Sequence, residues 1–216
     1  MAGAEPRAAS AVVVVPVLLV LTIASASHLL AWASGDIVWA GRAPIGSSGL
    51  AIEAVLPVLV AAAGGELGWR GWLQPRLDRA GIRGSLPMVA VLETLAYIPA
   101  VLVLARTAGP QGSDPGAALF LFGAMRVGSV PLLAWLVYRS RSAWSAVIFR
   151  STWDLLVPAV GATLFVLVGE PWMAGTSGVA PIIAHSAAAL GVFGLMWHRG
   201  GSWSAFARWS LRRASD

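Results

Sequence analysis

The chain has 216 residues, of which 57% are hydrophobic and only 12% are charged, whereas ordinary soluble domains carry roughly 25% charged residues. Its mean hydropathy is +0.75, and a soluble chain of this length could not hide that much apolar surface in one core. The composition therefore excludes an ordinary soluble domain and predicts an all-α, polytopic membrane protein. Cysteine is absent from the sequence, which excludes disulfides, thiolate metal sites and cysteine nucleophiles.

Six apolar segments, each long enough to cross about 30 Å of hydrocarbon, predict a bundle of six transmembrane helices. They cover approximately residues 11–33, 48–68, 85–105, 117–138, 143–168 and 177–198. The first segment has an alternative interpretation, because Ala24-Ser25-Ala26 resembles a signal-peptide cleavage site, so removal of residues 1–26 stays open. The sequence contains no visible repeat or second domain, and residues 1–216 are interpreted as a single integral-membrane domain.

The basic residues, which are all arginines, predict the orientation of the bundle. Eleven lie at one set of segment ends and two lie in the opposite loops. Because basic residues accumulate in cytoplasmic loops, we expect both termini in the cytoplasm of a bacterial plasma membrane. The arginines flank apolar runs instead of forming one stripe, so no nucleic-acid partner is expected. Residues 199–216 mix aromatic residues with four arginines and form a basic tail expected to contact membrane lipid.

Charged residues within the predicted spans are the candidates for a functional site, because each costs about 2.5–3.5 kcal/mol on insertion scales. Three pairs of polar residues are spaced four apart, which places each pair on one helix face: Glu66 and Arg70, Glu93 and Tyr97, Arg150 and Asp154. Lipid cannot form hydrogen bonds with these polar helix faces, so we expect the three faces to turn toward the interior of the bundle and contact one another. The predicted buried polar cluster comprises Glu66, Arg70, Glu93, Arg126, Arg150 and Asp154, whose formal charges cancel without a metal.

Simpler structural interpretations exist for these charges. Glu66 and Arg70 could form only a salt bridge at the inner end of the second span, and Glu93 could simply pair with Arg126. Arg150 and Asp154 could neutralise each other locally. However, the order Arg then Asp is the weaker orientation for a helix pair, so we expect their partners on other helices.

Three short motifs resemble those of the CPBP family, which comprises CAAX prenyl endopeptidases and bacteriocin-processing (Abi) enzymes. Residues 65–77, GELGWRGWLQPRL, resemble its first motif, E-E-x-x-x-R, commonly written EEigWRGyLxPrL. Residues 95–99, LAYIP, resemble the second motif, W-H-l-P, and residues 142–150, SAWSAVIFR, resemble the approach to the third, H-x-x-x-N. The resemblance covers about residues 48–168 and implies a CPBP-like helical membrane core with intramembrane endopeptidase ancestry.

The resemblance also implies which positions carry the chemistry. In the family, the first Glu of motif one and the His of motif two activate a water, with or without a metal, while the His and Asn of motif three bind the oxyanion or the metal. At these four positions the chain has Gly65, Tyr97, Arg150 and Asp154, and it keeps the family's Glu66 and Arg70. Glycine has no side chain, tyrosine has a pKa near ~10 and arginine is effectively never deprotonated, so none is a general base at neutral pH. A carboxylate at the oxyanion position would repel the developing negative charge.

These replacements predict a family member without the usual peptidase chemistry, which binds a hydrophobic or lipidated membrane peptide or a membrane protein partner. Arg150 is expected to take the electrostatic role of a metal or a protonated histidine, so no metal or other cofactor is expected. One alternative is an active intramembrane peptidase with a displaced carboxylate site built from Glu66, Glu93 and Asp154, with zinc or another divalent metal as its possible cofactor. A second alternative is a small transporter or proton-relay subunit, since intramembrane acids can mark pathways.

Overall fold

The computed structural model describes residues 6–40, 52–82, 84–107, 114–168 and 178–198. Within these ranges the helices are α1 (Pro6–Ala33), α2 (Ile52–Glu66), α3 (Gln74–Arg79), α4 (Ser85–Thr107), α5 (Pro115–Ser140), α6 (Trp144–Leu164) and α7 (Val179–His198). A π-helical segment, Leu67–Leu73, joins α2 to α3 without a break. Each of the six predicted segments contains a helix, which confirms the helical membrane class. The predicted tail at 199–216 lies outside the described residues.

Several helices have the length and composition of membrane spans. Three qualify among the described residues: Val12–Ala33, Ser85–Val103 and Pro115–Ser140. A shorter apolar helix covers Val179–Leu195. Helices α1, α2, α4, α5 and α6 each contain an internal proline, which membrane helices tolerate because neighbouring groups satisfy the freed backbone.

Helix α5 lies at the centre of the bundle and contacts α1, α4, α6 and α7. Its residues Leu132, Leu133 and Leu136 are at most 1% exposed and form one apolar cluster with Val20 of α1 and Phe149 of α6. Large apolar residues on the outer faces are exposed instead, as a bundle surrounded by lipid requires. The inward faces of α4, α5 and α6 therefore meet around a common interior, where the polar side chains lie.

A two-stranded antiparallel sheet joins the ends of α1 and α6. Its strands are β1 (Ile37–Trp39) and β2 (Phe165–Leu167), with Ile37 opposite Leu167. The sequence predicted that the fifth span continues to residue 168, which is wrong because α6 ends at Leu164. A short apolar run such as Phe165–Leu167 suits a strand as well as a buried helix, so hydrophobicity alone could not separate the two.

Candidate functional site

The π-helical segment carries the first residues of the site. Glu66 is the last residue of α2 and Arg70 lies within the π-helical turn, where the backbone N–H of Gln74 donates to the carbonyl of Trp69. Such turns are short and are frequent at functional sites. Both Glu66 and Arg70 are at most 2% exposed. The motif-one residues are therefore held inside the bundle by an irregular helical turn.

Four buried charged side chains form one continuous ion network, called here the four-residue network: Glu66, Arg70, Glu93 and Arg126. Arg70 Nη1 lies 3.0 Å from Glu66 Oε2 and 2.8 Å from Glu93 Oε2. Arg126 Nη1 lies 2.7 Å from Glu93 Oε1 and donates a hydrogen bond to it. Each side chain is at most 3% exposed. Two acids and two arginines from α2, the π-helical segment, α4 and α5 thus neutralise one another.

Aromatic rings hold the guanidinium of Arg126 from its other sides. Its Cζ lies 4.5 Å from the ring centre of Phe122 and 5.1 Å from that of Tyr97, within the range of cation–π attraction. The two rings also contact each other, with centroids 5.6 Å apart. The sequence reasoning missed Phe122, although its spacing of four residues from Arg126 on α5 places it on the same helix face.

Gly65 and Tyr97, the positions aligned with the family's first Glu and first His, lie next to each other. A Cβ atom added at Gly65 would lie 3.2 Å from Tyr97 Oη. The tyrosine hydroxyl therefore occupies the space beside the glycine. The structure therefore places these two motif positions next to each other.

Arg150 and Asp154 form a separate ion pair on α6. Arg150 Nε donates to Asp154 Oδ2 at 2.7 Å, and the two side chains are 22% and 34% exposed. The expectation that they find partners on other helices is wrong, and among the described residues no salt bridge joins Arg150 to Glu66 or Glu93. The cause is visible in the network, because Arg70 and Arg126 already bind those carboxylates. Arg126 ties α5 to the site through its contact with Glu93.

The residues at the site do not fit a bound divalent metal of the kind the resemblance raises. Glu66 and Glu93 already lie within 2.7–3.0 Å of guanidinium groups, which would repel a second cation. Tyr97 and Arg150 stand where imidazole ligands would be expected, and arginine has no free lone pair to donate. In the part of the chain that the structure describes, no group of three or more His, Asp or Glu side chains could hold a metal ion.

The fold and the site together define a helical integral-membrane protein with a buried ion network at its motif-one helix. The model of the Type II CAAX prenyl endopeptidase Rce1-like family matches residues 47–156, slightly more than half of the chain. The chain therefore belongs to this family. The matched region includes the whole four-residue network, Tyr97 and the Arg150–Asp154 pair. No curated protein and no solved structure matches the chain.

Proposed function

We propose that this protein is a family member that has lost the usual peptidase chemistry and that holds a hydrophobic or lipidated membrane peptide, or a membrane protein partner, within its bundle. The observation that carries the proposal is the engagement of Glu66 and Glu93 by Arg70 and Arg126 at 2.7–3.0 Å. Glu93 of α4 pairs with Arg70 of the π-helical segment and with Arg126 of α5, so its carboxylate joins these elements.

The neighbouring positions support the same proposal. Water activation needs a side chain that accepts a proton near working pH and faces the reacting water. Gly65 supplies no side chain, and the hydroxyl of Tyr97 fills the adjacent space. At the motif-three positions, Arg150 is a permanent cation paired with Asp154. This arrangement retains polar groups for recognition while lacking the family's proton acceptor.

The proposal is tested by giving the full-length protein, reconstituted in liposomes, a prenylated hydrophobic peptide that carries a photoreactive group. We expect crosslinks to the intact peptide and no cleavage products by mass spectrometry. Cleavage by the wild type would refute the proposal. Arg139 is exposed at the end of α5. The control variant Arg139→Gln should therefore crosslink to the peptide as the wild type does.

The second candidate is an active intramembrane peptidase with a displaced carboxylate site. Two observations favour it: Glu66 and Glu93 share the same nitrogen of Arg70, and Asp154 is 34% exposed. Neighbouring carboxylates in different environments can divide the roles of acid and base. This candidate requires peptide hydrolysis by the wild type that disappears in Glu66→Gln or Asp154→Asn.

We also propose that both termini face the cytoplasm of a bacterial plasma membrane, as the distribution of arginines indicates. The absence of cysteine from the sequence makes the test direct. A single cysteine introduced near either terminus should react with an impermeant maleimide only after the membrane is opened. Reaction in sealed cells would reverse the proposed orientation.

A further inference from the structure

One end of the bundle carries exposed arginines that have no acidic partner among the described residues. Helix α3, the last turn of α5 and the turn before α6 lie at this end, and their exposed arginines are Arg76, Arg79, Arg139 and Arg141. None of the four forms a salt bridge within the described ranges. Asp78 also lies on α3, but it is half-buried and accepts a hydrogen bond from Ser85. This end of the bundle therefore carries an excess of positive charge.

Two acids that lie outside the buried ion pairs are at the opposite end of the bundle. Asp114 is the N-cap of α5, and the 26 residues of this helix separate its two ends by about 39 Å. The carbonyl of Asp36 accepts from the backbone N–H of Val168, just after β2. Because α6 has 21 residues, Asp36 is about 30 Å from the turn that precedes this helix. Neither acid can neutralise the arginines.

The arginines of α3 and of the turn before α6 are brought together by a close contact between two small residues. A Cβ added at Gly71 would lie 3.6 Å from that of Ala143. The next residue after each is an exposed tryptophan, Trp72 at 55% and Trp144 at 54%. Arg76 Cζ lies 4.0 Å from the ring centre of Trp72, and Arg76 Nη1 donates to the carbonyl of Trp72 at 3.4 Å. The guanidinium of Arg76 is therefore held beside the contact with α6.

Arg141 has an unusual backbone conformation for an arginine. It is the C-cap of α5 with a φ of 57°, and among the described residues it alone combines a positive φ with a side chain other than hydrogen. Glycine is the residue favoured in this left-handed conformation at a helix end, because it has no Cβ. The chain nevertheless has an exposed arginine here, two residues before Ala143. A strained position that keeps a charged side chain indicates that the side chain has a use.

This end of the bundle lies at the level of a membrane surface. Two helices that are long and apolar enough to cross a membrane have an end here, one beginning at Ser85 and the other ending at Ser140. Tryptophan is enriched at the headgroup level of membranes, and guanidinium groups bind phosphate oxygens through paired hydrogen bonds. Exposed arginines without acidic partners are therefore complementary to a phospholipid headgroup of net negative charge.

We infer that Trp72, Arg76, Arg141 and Trp144 form an interfacial patch that binds the phosphate group of an anionic phospholipid. Arg76 and Arg141 supply the hydrogen-bond donors, and the two tryptophans contact the lipid at the boundary between headgroup and acyl chain. Arg139 adds to the general positive charge of this end without belonging to the patch. This inference goes beyond the proposed binding of a peptide or partner and does not depend on it.

The test titrates the full-length protein in detergent with phosphatidylglycerol or phosphatidylcholine of the same acyl chains, and measures the retained lipid by native mass spectrometry. We expect phosphatidylglycerol to bind about tenfold more tightly than phosphatidylcholine. Arg76→Gln and Arg141→Gly should each weaken its binding about fivefold, because each removes one cation from the patch. Arg139→Gln removes the same charge from the same end of the bundle and should stay within about twofold of the wild type. Residues 199–216 are identical in all variants, so any lipid bound by the basic tail cancels in the comparison.

Arg141→Gly also separates lipid binding from folding. Glycine adopts a positive φ without strain, so thermal stability should be unchanged or higher while lipid binding falls. A loss of stability would make the arginine a structural residue and overturn its assignment to the patch. An equal loss of lipid binding in Arg139→Gln would show a response to net charge alone and overturn the inference, as would binding within about twofold of the wild type in the double variant Arg76→Gln/Arg141→Gly. Displacement of the lipid by an equal concentration of inorganic phosphate would also overturn it, because the patch would then bind a free anion.

Discussion

Removing the guanidinium of Arg126 takes one of the two cations out of the four-residue network. In Arg126→Met, Glu66 and Glu93 would share the single charge of Arg70 inside the bundle. Breaking a buried ion pair by removing one partner costs about 3–5 kcal/mol, because the other charge is left uncompensated. Loss of an ordinary hydrogen bond between membrane helices averages only about 0.6 kcal/mol. A buried ion pair and an ordinary hydrogen bond between Arg126 and Glu93 therefore predict clearly different losses in the free energy of unfolding.

The double variant Glu93→Gln/Arg126→Met separates charge from packing. It leaves Glu66 and Arg70 as a neutral pair 3.0 Å apart. We expect this variant to be more stable than Arg126→Met by at least about 2 kcal/mol. Arg139→Met, on the same helix but exposed, is the control and should change stability by no more than about 0.5 kcal/mol.

The assay is reversible unfolding of the purified wild type and variants in mixed micelles, followed by circular dichroism. A loss below about 1 kcal/mol in Arg126→Met would show that Glu93 does not need its second arginine. A double variant that is no more stable than Arg126→Met would show that the uncompensated charge of Glu93 is not the cause of the loss.

Two further outcomes are expected. Replacing a helical Gly with Ala ordinarily gains about 0.5–1 kcal/mol, but a Cβ at Gly65 would lie 3.2 Å from Tyr97 Oη. Gly65→Ala should therefore gain stability only when Tyr97 is also replaced by Phe, as the same unfolding assay would show. An equal gain with Tyr97 present and with Tyr97→Phe would contradict the contact. Burial raises the pKa of Asp78, although a hydrogen bond from Ser85 opposes the shift. The folded state therefore binds this proton more tightly than the unfolded state, and its contribution to stability should fall as the pH rises above about 3.9. Asp78→Asn should be more stable than the wild type at pH ~7 and lose that advantage near pH ~4, as thermal melting at the two pH values would show; an advantage independent of pH would contradict the shift.

The apolar segments made the helical membrane class predictable, because lipid permits so few backbone arrangements. The family could also be inferred from the sequence, since the W-R-G core around Arg70 is a specific motif. The extent of α6 was less predictable. Its last apolar residues pair with β1 instead of extending the helix, and this choice depends on a strand more than one hundred residues earlier in the chain.

The pairing of charges required the structure. Spacing placed Glu66 with Arg70, and the pairing of Glu93 with Arg126 was one simple interpretation of the buried charges. The sequence could not show that Arg70 joins the two pairs into one network. That contact depends on how the π-helical segment faces α4. Once Arg70 and Arg126 engage the carboxylates, Arg150 is left to its neighbour on the same helix, against the preference derived from the sequence order.

The proposed loss of peptidase chemistry is tested most directly by incubating the reconstituted wild type with a prenylated peptide and measuring the products by mass spectrometry. We predict an uncut peptide, because Gly65 and Tyr97 supply no proton acceptor and both network carboxylates are bound by arginines. Cleavage by the wild type that is lost in Glu66→Gln or Glu93→Gln would contradict this prediction and assign hydrolysis to the displaced carboxylates.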